Sequence, residues 1–371
     1  MAVTTVNSQN IATDFHKKLA HEYIRKGKFA PYMGKSPNSI IQVVEGLKKC
    51  SIPFVAALGS GGGVKGSATL SGNEVALDNY AYELTPTYER NAVTIDNEEN
   101  EKSEFQLKEE ARPALMNWAH ETKRDQIIEA LNGVEAGGTY RKYGDASATE
   151  LDTWNTNNAD RILYGNSEAN RVAGDHTASL ATIDATNDKI SSATLDLMKD
   201  MAEDCKPLIR PHMIDGDDPY YVLFVNTACF NALRADSSIE KANHEARARG
   251  LNNPVFTGSD MIYNGIIIKK IPDMNIFTDA TASGDFQGSW GGGATADGLD
   301  NAGAAGIKVH AAFLCGAQAI GFGLGKSPTF KVSKEDDYEF KNGVANEFKQ
   351  DVKKVFYNNK QHGIITGFFA A

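Results

Sequence analysis

The chain has 371 residues, 38 basic and 48 acidic, and a formal net charge of −10. Apolar residues make up 41% and charged residues 23%, ordinary globular values that exclude wholesale disorder. The acidic balance argues against a protein whose main task is gripping nucleic acid, which needs dense Lys and Arg on one face. At ~150 residues per domain the length suggests two or three lobes.

Residues 1–45 show weak periodicity broken by Gly27, Pro31, Gly34 and Pro37. The start lacks a basic stretch followed by an apolar one, so it does not read as a secretory signal. Cys50 to Leu58 is a strand-like apolar run leading into Gly59-Ser-Gly-Gly-Gly-Val-Lys-Gly66. A second extended stretch, Tyr82 to Ile95, has good β propensity, and the pair reads as a long β-hairpin arm. Seven of the sixteen residues from Ile95 to Glu110 are acidic, which suits the N-terminus of a following helix. Leu115, Trp118, Ala119 and Thr122 fall at i, i+3, i+4 and i+7, and Ile128 and Leu131 continue the stripe. Pro113 either opens this helix or kinks a longer one. Gly133 sits where a C′ glycine belongs.

Residues 134–190 are rich in Asn, Thr, Ala and Gly and read as an elaborated loop. Ser191 or Ser192 caps a helix through Leu195, Met198 and Met201 that stops before Pro207. Tyr220 to Val225 is a buried strand, and Asn226 or Thr227 caps a short helix to Leu233. Ile266 to Ile268 and Val309 to Leu314 are further strands, separated by a Gly/Ala/Ser/Asp loop from Thr278 to Gly306. Val309 to Gly325 is the longest apolar stretch, too short and too broken by glycine for a membrane helix. Ser327 to Ser333 looks extended. Val344, Phe348, Val352 and Phe356 are spaced by four, which fits one face of a helix or one face of a strand.

Few patterns suggest chemistry. Gly61-Gly-Gly63-Val-Lys-Gly66 matches G-x-G-x-x-G, but Gly72 interrupts where a helix should open beneath a pyrophosphate. Gly321-Phe-Gly-Leu-Gly-Lys326-Ser327 resembles a phosphate loop, yet Ile320 replaces the leading glycine and Pro328 opposes a following helix. Cys50, Cys205, Cys229 and Cys315 lie at least 24 residues apart, giving neither a CxxC site nor a disulfide framework. They read as reduced, buried small hydrophobes of a chain made in a cytoplasm. The eight histidines are scattered, without an HExxH pair. Asp215-Gly-Asp-Asp218 and Glu335-Asp-Asp337 lack calcium-loop spacing, and no G-x-S-x-G elbow appears. The expectation is no catalytic residue, no metal, no cofactor and no enzymatic activity.

The order of elements is more informative than any motif. A loose N-terminal arm leads to a Gly-tipped hairpin, a long helix, a central α/β lobe and closing extended segments. With Gly63-Val-Lys-Gly66, Thr69-Leu-Ser-Gly-Asn-Glu74, Tyr88-Glu-Arg-Asn-Ala92, Ala114-Leu-Met-Asn-Trp118, Asn253-Pro-Val-Phe-Thr-Gly258, Asn264-Gly-Ile-Ile-Ile268, Phe313-Leu-Cys-Gly-Ala-Gln-Ala319 and Glu335-Asp-Asp-Tyr338 in that order, the chain resembles the major capsid proteins of tailed bacteriophages. The likeness is to the α+β Hong-Kong-97-type fold, and more narrowly to the podovirus N-four-type capsid family.

The resemblance implies an N-terminal arm (1–49), an E-loop hairpin (50–95), a P-domain with spine helix and loop-rich insertion (96–190), an A-domain (191–326) and a C-terminal return to the P-domain (327–371). It makes the 344–358 stretch a strand. It puts inter-subunit contacts at the hairpin tip, Gly61, Gly62, Gly63, Val64, Lys65, Gly66, Asn73 and Glu74. Leu115, Trp118, Thr122 and Leu131 would lie on the spine helix. The partners implied are other copies of the chain in hexamers and pentamers, together with portal, scaffolding and decoration proteins. The shell would be assembled in the host bacterial cytoplasm and would enclose double-stranded DNA without sequence-specific binding, with no membrane involved. Two other readings stay open: an encapsulin-like nanocompartment shell, and a nucleotide-binding enzyme using one of the glycine loops.

Overall fold

A computed structural model describes residues 27–55, 64–67, 69–75, 77–96, 98, 107–214, 218–245, 260–272, 274, 302–336 and 341–370. The first half of the chain forms β1 (Met33–Gly34), β2 (Ile41–Glu45), β3 (Cys50–Val55), β4 (Asn79–Leu84), β5 (Thr87–Asp96), α1 (Leu107–Leu131), β6 (Val134–Ala136), β7 (Thr139–Arg141), α2 (Ala148–Asn157), β8 (Ile162–Tyr164) and α3 (His176–Ala181). The rest forms α4 (Ser192–Asp204), β9 (His212–Ile214), β10 (Asp218–Val225), α5 (Thr227–Ala235), α6 (Ser237–Glu245), β11 (Asp260–Tyr263), β12 (Ile266–Lys270), β13 (Val309–Cys315), β14 (Ile320–Asp336), β15 (Lys341–Lys354), β16 (Phe356–Tyr357), β17 (Lys360–Gln361) and β18 (Ile364–Ala370). The described residues fall into two compact units, one from 27–89, 122–327 and 348–371, the other from 90–121 and 328–347.

The larger unit is built on a mixed sheet in the order β11-β12-β10-β13-β18-β8, with β9 paired to β10. β13 runs antiparallel to both β10 and β18, and β18 runs parallel to β8. Side chains alternate between faces along each strand. Val222, Phe224, Phe313 and Phe368 enter one core with Trp154, Ile128 and Leu131. Leu223, Val225, Leu314 and Phe369 enter the other with Leu195, Met198 and Leu233. A sheet covered on both sides needs continuous apolar strands, and every residue of β13 and of β18 is buried. Each large side chain so buried contributes ~1.5–3 kcal/mol. The sheet takes β8 and β18 from outside 191–326, so that stretch is not a closed lobe by itself.

The helices on this sheet follow their expected caps. Asn226 accepts a hydrogen bond from Cys229 N at 2.8 Å and starts α5. The Thr194 hydroxyl accepts from Ser191 N at 2.8 Å at the start of α4. Leu195, Met198, Met201 and Ala202 bury one stripe of α4.

A second sheet has the order β1-β2-β14-β15-β5. Val344, Phe348 and Val352 share one face of β15, and Val344 and Phe348 are each 1% exposed; the expected strand over 344–358 breaks after Lys354, and Phe356 falls in β16 of a separate two-stranded sheet. In the smaller unit Ala111 and Leu115 of α1 pack with Val344, Ile95 and Phe330. Asn346 Nδ2 donates to the Leu115 carbonyl at 3.2 Å. Pro113 lies inside α1 rather than at its first turn.

Three expectations change. The stripe on α1 runs through Ala111, Leu115 and Ala119, while Trp118 and Thr122 are only half-buried; Leu131 is fully buried in the larger unit. Gly133 is not a left-handed cap. A Cβ there would sit 2.4 Å from the Tyr140 hydroxyl, so the glycine makes room for that partly buried ring. Residues 134–190 are not an open loop. Ser147 and Glu150 form a capping box on α2. The Asp188 carboxylate accepts from Asn166 N, Asn170 Nδ2 and Asp184 N at 2.9–3.0 Å. Polar residues here satisfy one another, which leaves little apolar period to read.

Lys354 is the least expected core residue. It is fully buried, its Nζ lies within 6.0 Å of the Trp154, Phe313 and Phe356 ring centroids, and its hydrogen-bond acceptor is Gln361 Oε1 at 3.3 Å. Loss of hydration pulls its pKa down from 10.5 to about 7. The folded value lies below the unfolded one, so the unfolded chain binds more protons between about pH 7 and 10.5. The penalty is therefore full below pH 7 and fades as pH rises through this window. Lys354→Met should raise the melting temperature at pH 7 by a few degrees, about 1 kcal/mol or more, and the gap from wild type should narrow steadily toward pH 10 in parallel thermal melts.

Candidate assembly surface

β3 and β4 pair antiparallel from Cys50↔Leu84 to Val55↔Asn79. Along β3 burial alternates: Cys50, Ile52 and Phe54 point in, Ser51, Pro53 and Val55 out. The inward residues pack with Leu84 and Val355. Phe54 lies 4.8 Å from the His362 ring and 5.7 Å from Tyr357, and Tyr80 meets Tyr357 edge-on at 5.1 Å. These spacings suit favourable aromatic pairs. Burial and the charges of Arg161 and Arg210 lower the His362 pKa to about 4, so it packs as a neutral ring.

Beyond this root, the described residues of the hairpin tip are exposed, except for half-buried Val64. Thr69 to Glu74 form a self-contained turn. Asn73 N donates to Leu70 O at 2.9 Å, Asn73 Nδ2 to Thr69 O at 3.0 Å, and Gly72 N to Glu74 Oε2 at 2.7 Å. Gly72 has φ +90°, which residues with a Cβ rarely adopt. Gly66 is also left-handed, and Lys65 beside it is exposed. Gly61, Gly62 and Gly63 lie outside the described residues.

Seven of the twelve exposed large hydrophobics among the described residues fall between 47 and 88: Leu47, Val55, Leu70, Val75, Leu77, Tyr80 and Tyr88. Scattered exposed apolar residues are normal, but a concentration in one stretch of the chain marks a candidate interaction surface. Leu115 and Leu131, by contrast, are core residues of their own units and unavailable to a partner. The aromatic root, Phe54, Tyr80 and Tyr357, was not expected from sequence, although the in–out alternation of β3 is visible in Cys50-Ser-Ile-Pro-Phe-Val55.

The glycine loop at 321–327 does not cradle phosphate. Residues 320–324 are in register with β2, so their backbone groups serve the sheet, and a Cβ on Gly321 would lie 2.9 Å from Ile52 Cδ1. The four cysteines are free and buried, and burial pushes the Cys229 thiol up to about 12. Among the described residues no three His, Cys, Asp or Glu gather as metal ligands, and no helix is long and apolar enough to cross a membrane.

The mixed sheet, long helix and hairpin are those of a shell protein of the Hong-Kong-97 type. The sequence matches the family described as "Phage capsid protein" over residues 3–367, and the chain belongs to that family. It is similar to the cyanophage Pam1 capsid asymmetric unit, at 30% identity over 100% of this chain and 99% of that one, with a TM-score of 0.87. It resembles the fold of the Ralstonia phage GP4 capsid at 19% identity, over 100% and 98% of the two chains, with a TM-score of 0.70. The major capsid protein of Pseudomonas phage KPP25 is 24% identical over 339 residues, covering 85% of this chain and 81% of that one. Of the three readings the sequence left open, these matches carry the phage capsid.

Because the hairpin root rests on few apolar side chains, Phe54→Ala should loosen it by roughly 3 kcal/mol. Hydrogen exchange should accelerate by at least tenfold at β3 and β4 amides and remain unchanged in β13 and β18.

Proposed function

We propose that the chain is the major structural subunit of an icosahedral phage head, arranged in hexamers and pentamers around double-stranded DNA. The concentration of exposed apolar residues on the hairpin arm carries this reading. Leu70, Val75 and Leu77 gain nothing from their own fold, and each would contribute up to ~1.5–3 kcal/mol when covered by a neighbour. Repetition around a closed shell multiplies individually weak contacts.

In this reading 50–95 is the E-loop that reaches a neighbouring subunit, 113–132 the spine, 191–326 most of the A-domain and 327–371 the return to the P-domain. Lys65, Gly66, Asn73 and Glu74 meet the neighbour at the tip, with the left-handed glycines setting its direction. The role is structural rather than enzymatic, in keeping with relatives that are capsid proteins. The net charge of −10 suits a wall that encloses DNA without gripping it. Assembly in the host bacterial cytoplasm is consistent with four unpaired, buried thiols. Portal, scaffolding and decoration proteins are the further partners of this role.

A triple variant, Leu70→Glu, Val75→Glu and Leu77→Glu, tests it. These side chains are 57–60% exposed, so subunit stability should change by less than about 1 kcal/mol, while electron microscopy shows no closed shells. Normal shells from the variant would remove the hairpin from the assembly mechanism.

A further inference from the structure

Behind the hairpin root, Tyr82 of β4, Glu135 of β6, Tyr140 of β7, Lys353 of β15 and Tyr357 of β16 line a recess of about 580 Å³. It holds an unmet electrostatic demand. Glu135 is 8% exposed, and its carboxylate has no hydrogen-bond or ion-pair partner among the described residues. Burial alone raises its pKa. The Tyr82 hydroxyl is buried without a hydrogen-bond partner, and Glu135 acts on it electrostatically. The cation already in the lining, Lys353, is committed elsewhere: its Nζ lies 2.9 Å from Asp351 and 5.9 Å from the Tyr140 ring centroid. The Glu135 residue is mostly buried while its carboxylate faces the recess, and a partly desolvated carboxylate without a counter-charge is a favourable place for a cation.

We propose that this recess receives a lysine side chain from a second copy of the chain. The two Glu135 oxygens are free to accept from an ammonium group, which carries three donors. The aromatic walls favour a cation over their faces. Glu83, the other carboxylate of the lining, is paired with Lys49 at 2.8 Å, and the one carboxylate left offers too few oxygens for calcium, which takes six to eight. A second copy is the occupant because the recess opens on the hairpin that carries the exposed apolar residues: Tyr80 is both part of its lining and 48% exposed. The inference rests on the shell-subunit reading, and it adds a specific charge pair to an otherwise apolar contact.

Glu135→Gln is the test, made on the full-length chain. It keeps the shape and removes the charge. The isolated subunit should melt at the wild-type temperature or above it, since a buried, unpaired carboxylate does not stabilise the monomer. The protein concentration for half-assembly should rise about tenfold, and its dependence on salt should flatten, as for loss of one desolvated charge pair. A lower melting temperature of the subunit would show that Glu135 serves its own fold, and unchanged assembly would show that no cation enters; either overturns the proposal. Wild-type protein that never forms shells would instead defeat the shell reading itself.

Discussion

The pairing of β13 with β18 is the contact on which the other elements depend. It joins Val309–Cys315 to the last strand of the chain through seven register pairs, and both strands are buried throughout. Phe313 and Phe368 face one core, Leu314 and Phe369 the other. One ladder therefore holds two apolar layers in place. Without it, α4 and α5 on one face and Trp154 and Ile128 on the other would have no common surface to cover.

From that sheet the chain carries structure outward at decreasing internal support. The hairpin root is held by a small cluster, Ile52, Phe54, Leu84 and Val355. Among the described residues, the turn beyond it is held by hydrogen bonds between residues 69 and 74. Stability graded in this way is what an assembly arm requires. In the proposed shell, the segment that meets unequal neighbours is one with few internal contacts among the described residues.

Much of the sheet was legible because a strand covered on both faces must be apolar throughout, as in Tyr220 to Val225 and Val309 to Leu314. Helix starts were legible where a cap announced them, as at Asn226. The spacing by four at 344–356 was ambiguous for a geometric reason, since a strand repeats its face every second residue and a helix near every fourth. Residues 134–190 were illegible because their order comes from distant partners. Arg161, for example, is fully buried and donates to the carbonyls of Pro207, Gln361 and His362. Lys354 and Glu135 gave no sequence signal at all. Both look like surface charges until the fold places rings around them. For the proposed assembly surface, the glycines signal a turn, but its exposed apolar residues, Leu70, Val75 and Leu77, are too widely spaced to form a motif.

If a neighbouring subunit covers Leu70, Val75 and Leu77, as proposed, the backbone around them is protected differently in the free subunit and in the closed shell. Hydrogen exchange measured on isolated subunits and on closed shells tests this directly. Amides from Thr69 to Tyr80 should exchange rapidly in the subunit and be strongly protected in the shell, while β13 and β18 should be equally protected in both. Equal protection of the arm in the two states would contradict it.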